Sequence, residues 1–188
     1  TPVQSQAIPA ILNGHDLRAC APTGSGKTAA YVLPLLQQWL LSDAAQRQGS
    51  RSTQALVLVP TRELAAQVAE LIYHVGEAMG RRPKVAVLTG GVSINPQLMA
   101  LRGGADMVIA TPGRLLDVVA HSQLKLHTID TLVMDEADRL LDLGFAEELE
   151  QVLALLPAKT ARQTLLLSAT FGPAVQTLVG QLLREGHV

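Results

Sequence analysis

The stretch APTGSGKT, Ala21 to Thr28, has the residue types and spacing that bind phosphate. Apart from Ala21 at its first place, it fits the pattern G-x-x-x-x-G-K-[ST]. Gly24 and Gly26 free the backbone to turn its N–H groups toward phosphate oxygens, and the helix predicted to follow adds positive potential at its start. Pro22, Thr23 and Ser25 complete the loop. Lys27 is placed to reach the β and γ phosphates of a nucleoside triphosphate, and Thr28 to offer its hydroxyl to Mg²⁺.

A second stretch, LVMDEADRL at residues 132 to 140, runs from apolar residues straight into Asp135, Glu136 and Asp138. Like charges so close repel, and each is costly to desolvate without a cation or a hydrogen-bond donor. A magnesium-bound triphosphate on the glycine loop would supply that partner. Asp135, at a strand end, would hold Mg²⁺, mostly through water. Glu136 would orient and deprotonate the water that attacks the γ-phosphate. Glu136, Lys27 and Asp135 are thus the candidate catalytic residues, with Thr28 and Asp135 the candidate metal ligands. Asp138 lies too far along to be assigned to the metal, and a hydrogen bond elsewhere is expected for it.

Such residues need a scaffold that brings distant segments to one edge. Short apolar runs at Asp16 to Ala21, Ala55 to Val59, Lys84 to Leu88, Met107 to Ala110, Thr131 to Met134 and Thr164 to Leu167 alternate with longer segments of helical period. Uniformly apolar strands separated by helices predict an α/β fold, a parallel sheet with helices on both faces. Leu64, Ala65, Val68, Leu71, Ile72, Val75 and Met79 form one helical stripe, and Leu149, Val152, Leu153 and Leu156 another. A helix is predicted from about Thr28 to Leu41, with Pro34 removing one hydrogen bond and kinking it. Residues 42 to 54, SDAAQRQGSRSTQ, read as an exposed loop. Thr61 and Thr111 are expected to cap helices, with Pro112 in a first helical position. In an open parallel sheet the carboxyl ends of the strands carry the ligand, so these segments should share one rim.

The bulk numbers restrict the partners. One domain of 188 residues with 48% hydrophobic content can bury an ample core. Fifteen basic and sixteen acidic residues leave a formal charge of -1, so any nucleic-acid contact must be local rather than a global basic field. The single cysteine, Cys20, forms no internal disulfide, and the five histidines share no ligand spacing. No stretch has the length of a membrane span or the pattern of a signal peptide, and a cytoplasmic setting is expected.

Taken together, APTGSGKT, PTRELA, TGG, TPGR, VMDEAD and SAT resemble, in order and spacing, the amino-terminal RecA-like P-loop domain of DEAD-box RNA helicases. The resemblance covers essentially the whole chain, and GGVSINPQLMALRGGADMVIATPGRLLD is particularly similar to the bacterial RhlE-type subgroup. It implies an RNA-dependent ATPase and helicase that uses ATP and Mg²⁺. TPVQ resembles the end of the family's Q motif, so Gln4 would read the adenine edge. Pro60, Thr61, Arg62, Gly90, Gly91, Thr111, Gly113 and Arg114 match positions that grip the sugar-phosphate backbone of single-stranded RNA. Ser168, Ala169 and Thr170 match the segment that couples hydrolysis to RNA work, with Asp138 as its hydrogen-bond partner. Backbone contacts of this kind position RNA, single-stranded or duplex, without reading its sequence.

Residues 1–188 are expected to hold neither the aromatic upstream part of the Q motif nor a second RecA-like domain. In the family that domain supplies arginines to the transition state and half of the RNA groove, and such an arginine is worth orders of magnitude in rate. The resemblance therefore implies hydrolysis and unwinding only with that domain joined, and a weakly active or inactive monomer without it. Two alternatives stay open: a DNA helicase of the same superfamily, and a non-catalytic module that binds nucleotide or RNA.

Overall fold

A computed structural model describes residues 1–42 and 51–188. Most of the loop expected over residues 42 to 54 thus lies outside the described residues. The strands are β1 (Leu17–Cys20), β2 (Ala55–Leu58), β3 (Val85–Leu88), β4 (Met107–Ala110), β5 (Thr131–Met134) and β6 (Gln163–Ser168). Helices α1 (Pro2–Leu12), α2 (Lys27–Leu41), α3 (Arg62–Ala78), α4 (Asn95–Ala100), α5 (Pro112–His121), α6 (Ala137–Asp142), α7 (Ala146–Ala154) and α8 (Pro173–Leu182) connect or flank them.

Among the described residues the strands form one sheet in the order β1-β6-β5-β2-β4-β3, all pairs parallel. The register aligns their carboxyl ends: Cys20 lies beside Ser168, Met134 beside Leu166 and Leu58, and Ala110 beside Leu58 and Leu88. The loops that follow the strands therefore emerge along one rim. This parallel sheet covered on both faces is the α/β fold expected from the alternating pattern.

Successive residues of one strand face opposite layers, and each layer has its own apolar core. Val57, Ile109, Val133, Leu165 and Leu167 meet Ile11 of α1, Tyr31 and Leu35 of α2, and Val68 and Ile72 of α3. Leu56, Leu58, Val108, Leu132, Met134 and Leu166 meet Leu115 of α5, Leu149 and Val152 of α7, and Leu178 of α8. The predicted helical stripes thus face the core, with Leu64, Leu71, Val75 and Met79 at its margin. Helix α2 runs through the buried Pro34 from Lys27 to Leu41, because packing along its length compensates for the backbone bond that proline removes.

The expectation of uniformly apolar strands fails at β1, which alternates buried and exposed residues with Arg18 and Cys20 outward. It is an edge strand, and its second face is left without apolar cover at Arg18 and Cys20. Arg18 instead lays its guanidinium over the Phe171 ring, 4.4 Å from the centroid. The backbone of Val188 runs beside β1, accepting from the Arg18 N–H at 2.7 Å and donating to the Asp16 carbonyl at 3.0 Å.

Asp16 fixes the approach to β1. Its buried carboxylate accepts from the Arg184 guanidinium at 2.7 and 3.0 Å, from the Arg184 N–H at 2.7 Å and from the Thr164 N–H at 3.0 Å. One side chain therefore joins the start of β1, the start of β6 and the segment after α8. Asp16→Ala leaves these donors unpaired and should cost about 3 kcal/mol, read as a lower urea midpoint at unchanged m-value.

Candidate active site

The glycine loop leaves β1 while still tied to the sheet, since the Ala21 N–H donates to the Ser168 carbonyl at 3.1 Å. Gly24 and Gly26 take φ of +78° and +93°, the left-handed region that costs an L-residue with a side chain roughly 1–2 kcal/mol. An added Cβ at Gly26 would also lie 2.6 Å from the Gln4 Nε2, so the Gln4 amide would have to move off the loop. Gly26 caps α2 and brings no side chain to its first N–H groups. The Ser25 hydroxyl is buried and has no partner among the described residues. Unclaimed donors of this kind suit an anion.

Gln4 donates its Nε2 to the Gly26 carbonyl at 3.3 Å, which places α1 directly against the loop. Lys27 is buried, and its ammonium donates to the Ala21 carbonyl across the loop. The loop is therefore closed on itself by the group expected to meet phosphate.

Asp135 prolongs β5, its N–H donating to the Leu58 carbonyl at 3.0 Å. Its carboxylate is buried; Oδ2 accepts from the Tyr31 hydroxyl and Oδ1 from the Glu136 N–H, both at 2.9 Å. Burial raises the Asp135 carboxyl above the usual carboxylate range, opposed by the Tyr31 hydrogen bond and the Lys27 charge. Burial, then the neighbouring Asp135, push the Tyr31 phenol well above its usual range, so it remains a donor. Through Tyr31 and Lys27 of α2, the acids at the end of β5 and the loop after β1 face each other across β6.

Glu136 is the one non-glycine among the described residues with positive φ, +51°. That conformation costs roughly 1–2 kcal/mol and is characteristic of functional positions. It turns the chain into α6, and the Glu136 Oε2 accepts from the Arg139 guanidinium at 2.9 Å.

Asp138 turns toward the end of β6. Its Oδ2 accepts from the N–H and the hydroxyl of Thr170, each at 2.9 Å, while its own N–H donates to the Ser168 hydroxyl at 3.2 Å. Burial alone would raise this carboxyl; the hydrogen bonds from Thr170 and Ser168 outweigh it and hold the group below its usual value. Ala169 lies between these two partners, its carbonyl 3.6 Å from the Cys20 Sγ.

No group of three or more His, Cys, Asp or Glu side chains converges among the described residues. The Thr28 hydroxyl and the Asp135 carboxylate are hard oxygen donors, and so small a set suits Mg²⁺, which keeps most of its waters or takes phosphate oxygens.

The remaining expected residues follow β2, β3 and β4 on the same rim. The Thr61 Oγ1 accepts from the Leu64 N–H at 3.3 Å and caps α3, next to Pro60. Arg62 is exposed, pairs with Glu63 at 2.8 Å and lies beside Gly91, whose φ is +77° and which follows Gly90. At α5 the expectation is half met: Pro112 takes a first-turn position, but Thr111 forms no side-chain cap. Thr111 still belongs to the sheet, its N–H donating to the Leu88 carbonyl at 3.0 Å, and the first N–H groups of α5, at Gly113 and Arg114, are left without that cap. Arg114 does not project outward: its side chain is 11% exposed, and Nη2 donates to the Val92 carbonyl at 2.9 Å. It braces the turn that contains Gly90 and Gly91.

The profile of the DEAD/DEAH box helicase family matches residues 1–178. The chain belongs to this family. It is 46% identical over 185 residues to the ATP-dependent RNA helicase DbpA of Escherichia coli, covering 98% of this chain and 38% of that protein. It is 43% identical over 184 residues to the DEAD-box ATP-dependent RNA helicase CshA of Streptococcus pneumoniae, covering 98% of this chain and 33% of that one. A crystal structure of a hypothetical ATP-dependent RNA helicase from Sulfolobus tokodaii superposes with a TM-score of 0.83 at 35% identity, over 100% of this chain and 51% of the other. The chain thus spans about a third of the length of these curated relatives. No helix among the described residues is long and apolar enough to cross a membrane.

Within this DEAD/DEAH box chain, Tyr31 and Arg139 are the residues of the site that the motifs did not reveal. A signal existed for Tyr31: it lies four residues after Lys27 and three after Thr28, the spacing that puts side chains on one helix face. Tyr31→Phe removes the donor to the Asp135 Oδ2 and leaves a buried carboxylate oxygen unpaired. The variant should lose about 1–3 kcal/mol of stability and bind Mg²⁺-nucleotide more weakly, checked by thermal unfolding and by calorimetry with and without Mg²⁺.

Proposed function

We propose that this chain is the nucleotide-binding part of an ATP-dependent RNA helicase. The observation that carries the reading is the pairing of the two halves of the site: Asp135 is held by Tyr31 at 2.9 Å, one turn into the helix that starts at the glycine loop. The loop residues Ala21 to Thr28 would surround the phosphates, with Gln4 beside them for the adenine edge. Lys27 would leave the Ala21 carbonyl for the β and γ phosphates. Thr28 and Asp135 would hold Mg²⁺, which when bound neutralises phosphate charge. Glu136 would orient the attacking water and accept its proton.

RNA would lie along the other half of the rim, on Pro60 to Arg62, Gly90, Gly91 and the start of α5 at Thr111, Gly113 and Arg114. Helix N–H groups and arginines there would hold phosphates without reading bases. Asp138 with Ser168, Ala169 and Thr170 would couple the two halves. A second RecA-like domain would complete both sites, so turnover and strand separation belong to the full-length protein. The stretch from Gly90 to Asp117 supports a RhlE-type assignment within the family, and the proposed setting is the cytoplasm.

The test is Glu136→Gln in the full-length protein. ATP affinity should remain while RNA-stimulated turnover falls at least about 100-fold, as expected for loss of a general base. Normal steady-state turnover would remove Glu136 from this role. Stimulation of the unmutated protein by DNA and not by RNA would reassign the substrate.

A further inference from the structure

We infer that Arg139 is a positioning residue for Glu136, fixing the carboxylate that faces the attacking water. The inference rests on the proposed role of Glu136 and adds to it a residue outside the four motif positions 135 to 138.

The Glu136 side chain is 10% exposed, and its Oε2 takes a hydrogen bond from the Arg139 Nη1 at 2.9 Å. Its Oε1 has no partner among the described residues and is not sealed from solvent. One oxygen is thus anchored by a charge-assisted bond, and the other is left to meet a water. Glu136 stands in the left-handed region, and among the staggered rotamers open to its side chain the Arg139 bond holds one.

Arg139 is itself tied to the segment after β6. Its N–H donates to the Asp138 Oδ1 at 3.0 Å, and the Asp138 Oδ2 is held by Thr170. A continuous set of contacts therefore leads from Thr170 through Asp138 and the first turn of α6 to the Arg139 guanidinium and the Glu136 Oε2. Movement of the Ser168 to Thr170 segment would be felt at Glu136 through Arg139. The Arg139 side chain is about half exposed, so truncating it removes little core packing.

The experiment is steady-state, RNA-stimulated ATP hydrolysis by the full-length protein carrying Arg139→Ala, Arg139→Lys, Glu136→Gln or both Arg139→Ala and Glu136→Gln. Arg139→Ala should lower kcat about tenfold or more, as displacement of a reacting group does, with an unchanged thermal midpoint. KM for ATP should stay within about twofold, since only the step after binding is affected. Arg139→Lys should regain most of kcat, and the double variant should be no slower than Glu136→Gln alone. Unchanged kcat in Arg139→Ala alongside an inactive Glu136→Gln overturns the inference and spares the reading of Glu136. So does a loss confined to KM, or a further loss in the double variant. Normal turnover in Glu136→Gln removes the reading itself, and the inference with it.

Discussion

The hydrogen bond from the Tyr31 hydroxyl to the Asp135 carboxylate spans two elements that the chain order keeps 104 residues apart. It is buried, and both groups are shifted in the direction that keeps the donor protonated and makes the acceptor costly to ionise without help. A buried carboxylate beside a lysine and a tyrosine, next to a glycine loop with open N–H groups, is an arrangement that favours an incoming cation with its anion. The glycines of the loop, the left-handed turn at Glu136 and the tight seat of Gln4 on Gly26 all act to keep that gap in shape.

The sheet order divides the rim into two parts. β1, β6 and β5 are neighbours and carry the glycine loop, the Ser168 to Thr170 segment and the acids, whereas β2, β4 and β3 carry the residues expected to meet RNA. Ser168 and Thr170 at the end of β6 are bonded to Asp138 at the start of α6, beside the point where the acids face the loop. The segment after β6 and the acids after β5 are therefore joined by short contacts. Arg114 holds the Val92 carbonyl, and with it the turn after β3.

Strand positions were legible because a central parallel strand is buried on both faces and reads as an apolar run. Met107–Ala110 and Thr131–Met134 coincide with expectation to the residue, and the other strands differ at their ends. The glycine loop was legible because its left-handed turns at Gly24 and Gly26 favour glycine, and the acids because they break an apolar run. Helix α1 was not anticipated: PVQSQAIPAIL has Pro9 in its interior and no strong apolar face, and its helix is fixed by packing on α2. The edge character of β1 depends on the order of strands, which no local pattern encodes. Tyr31 and Arg139 remained hidden for a related reason, as their roles exist only where α2 and α6 meet the strand ends. The inward fold of Arg114 likewise depends on a carbonyl from another loop.

A crystal structure with Mg²⁺ and a non-hydrolysable ATP analogue tests the central claim most directly. The account predicts the triphosphate on the N–H groups of residues 24 to 28, Lys27 detached from the Ala21 carbonyl, and Mg²⁺ between the phosphates and Asp135, with the Tyr31 bond retained. Phosphates bound away from this loop, or a metal remote from Asp135, would contradict it.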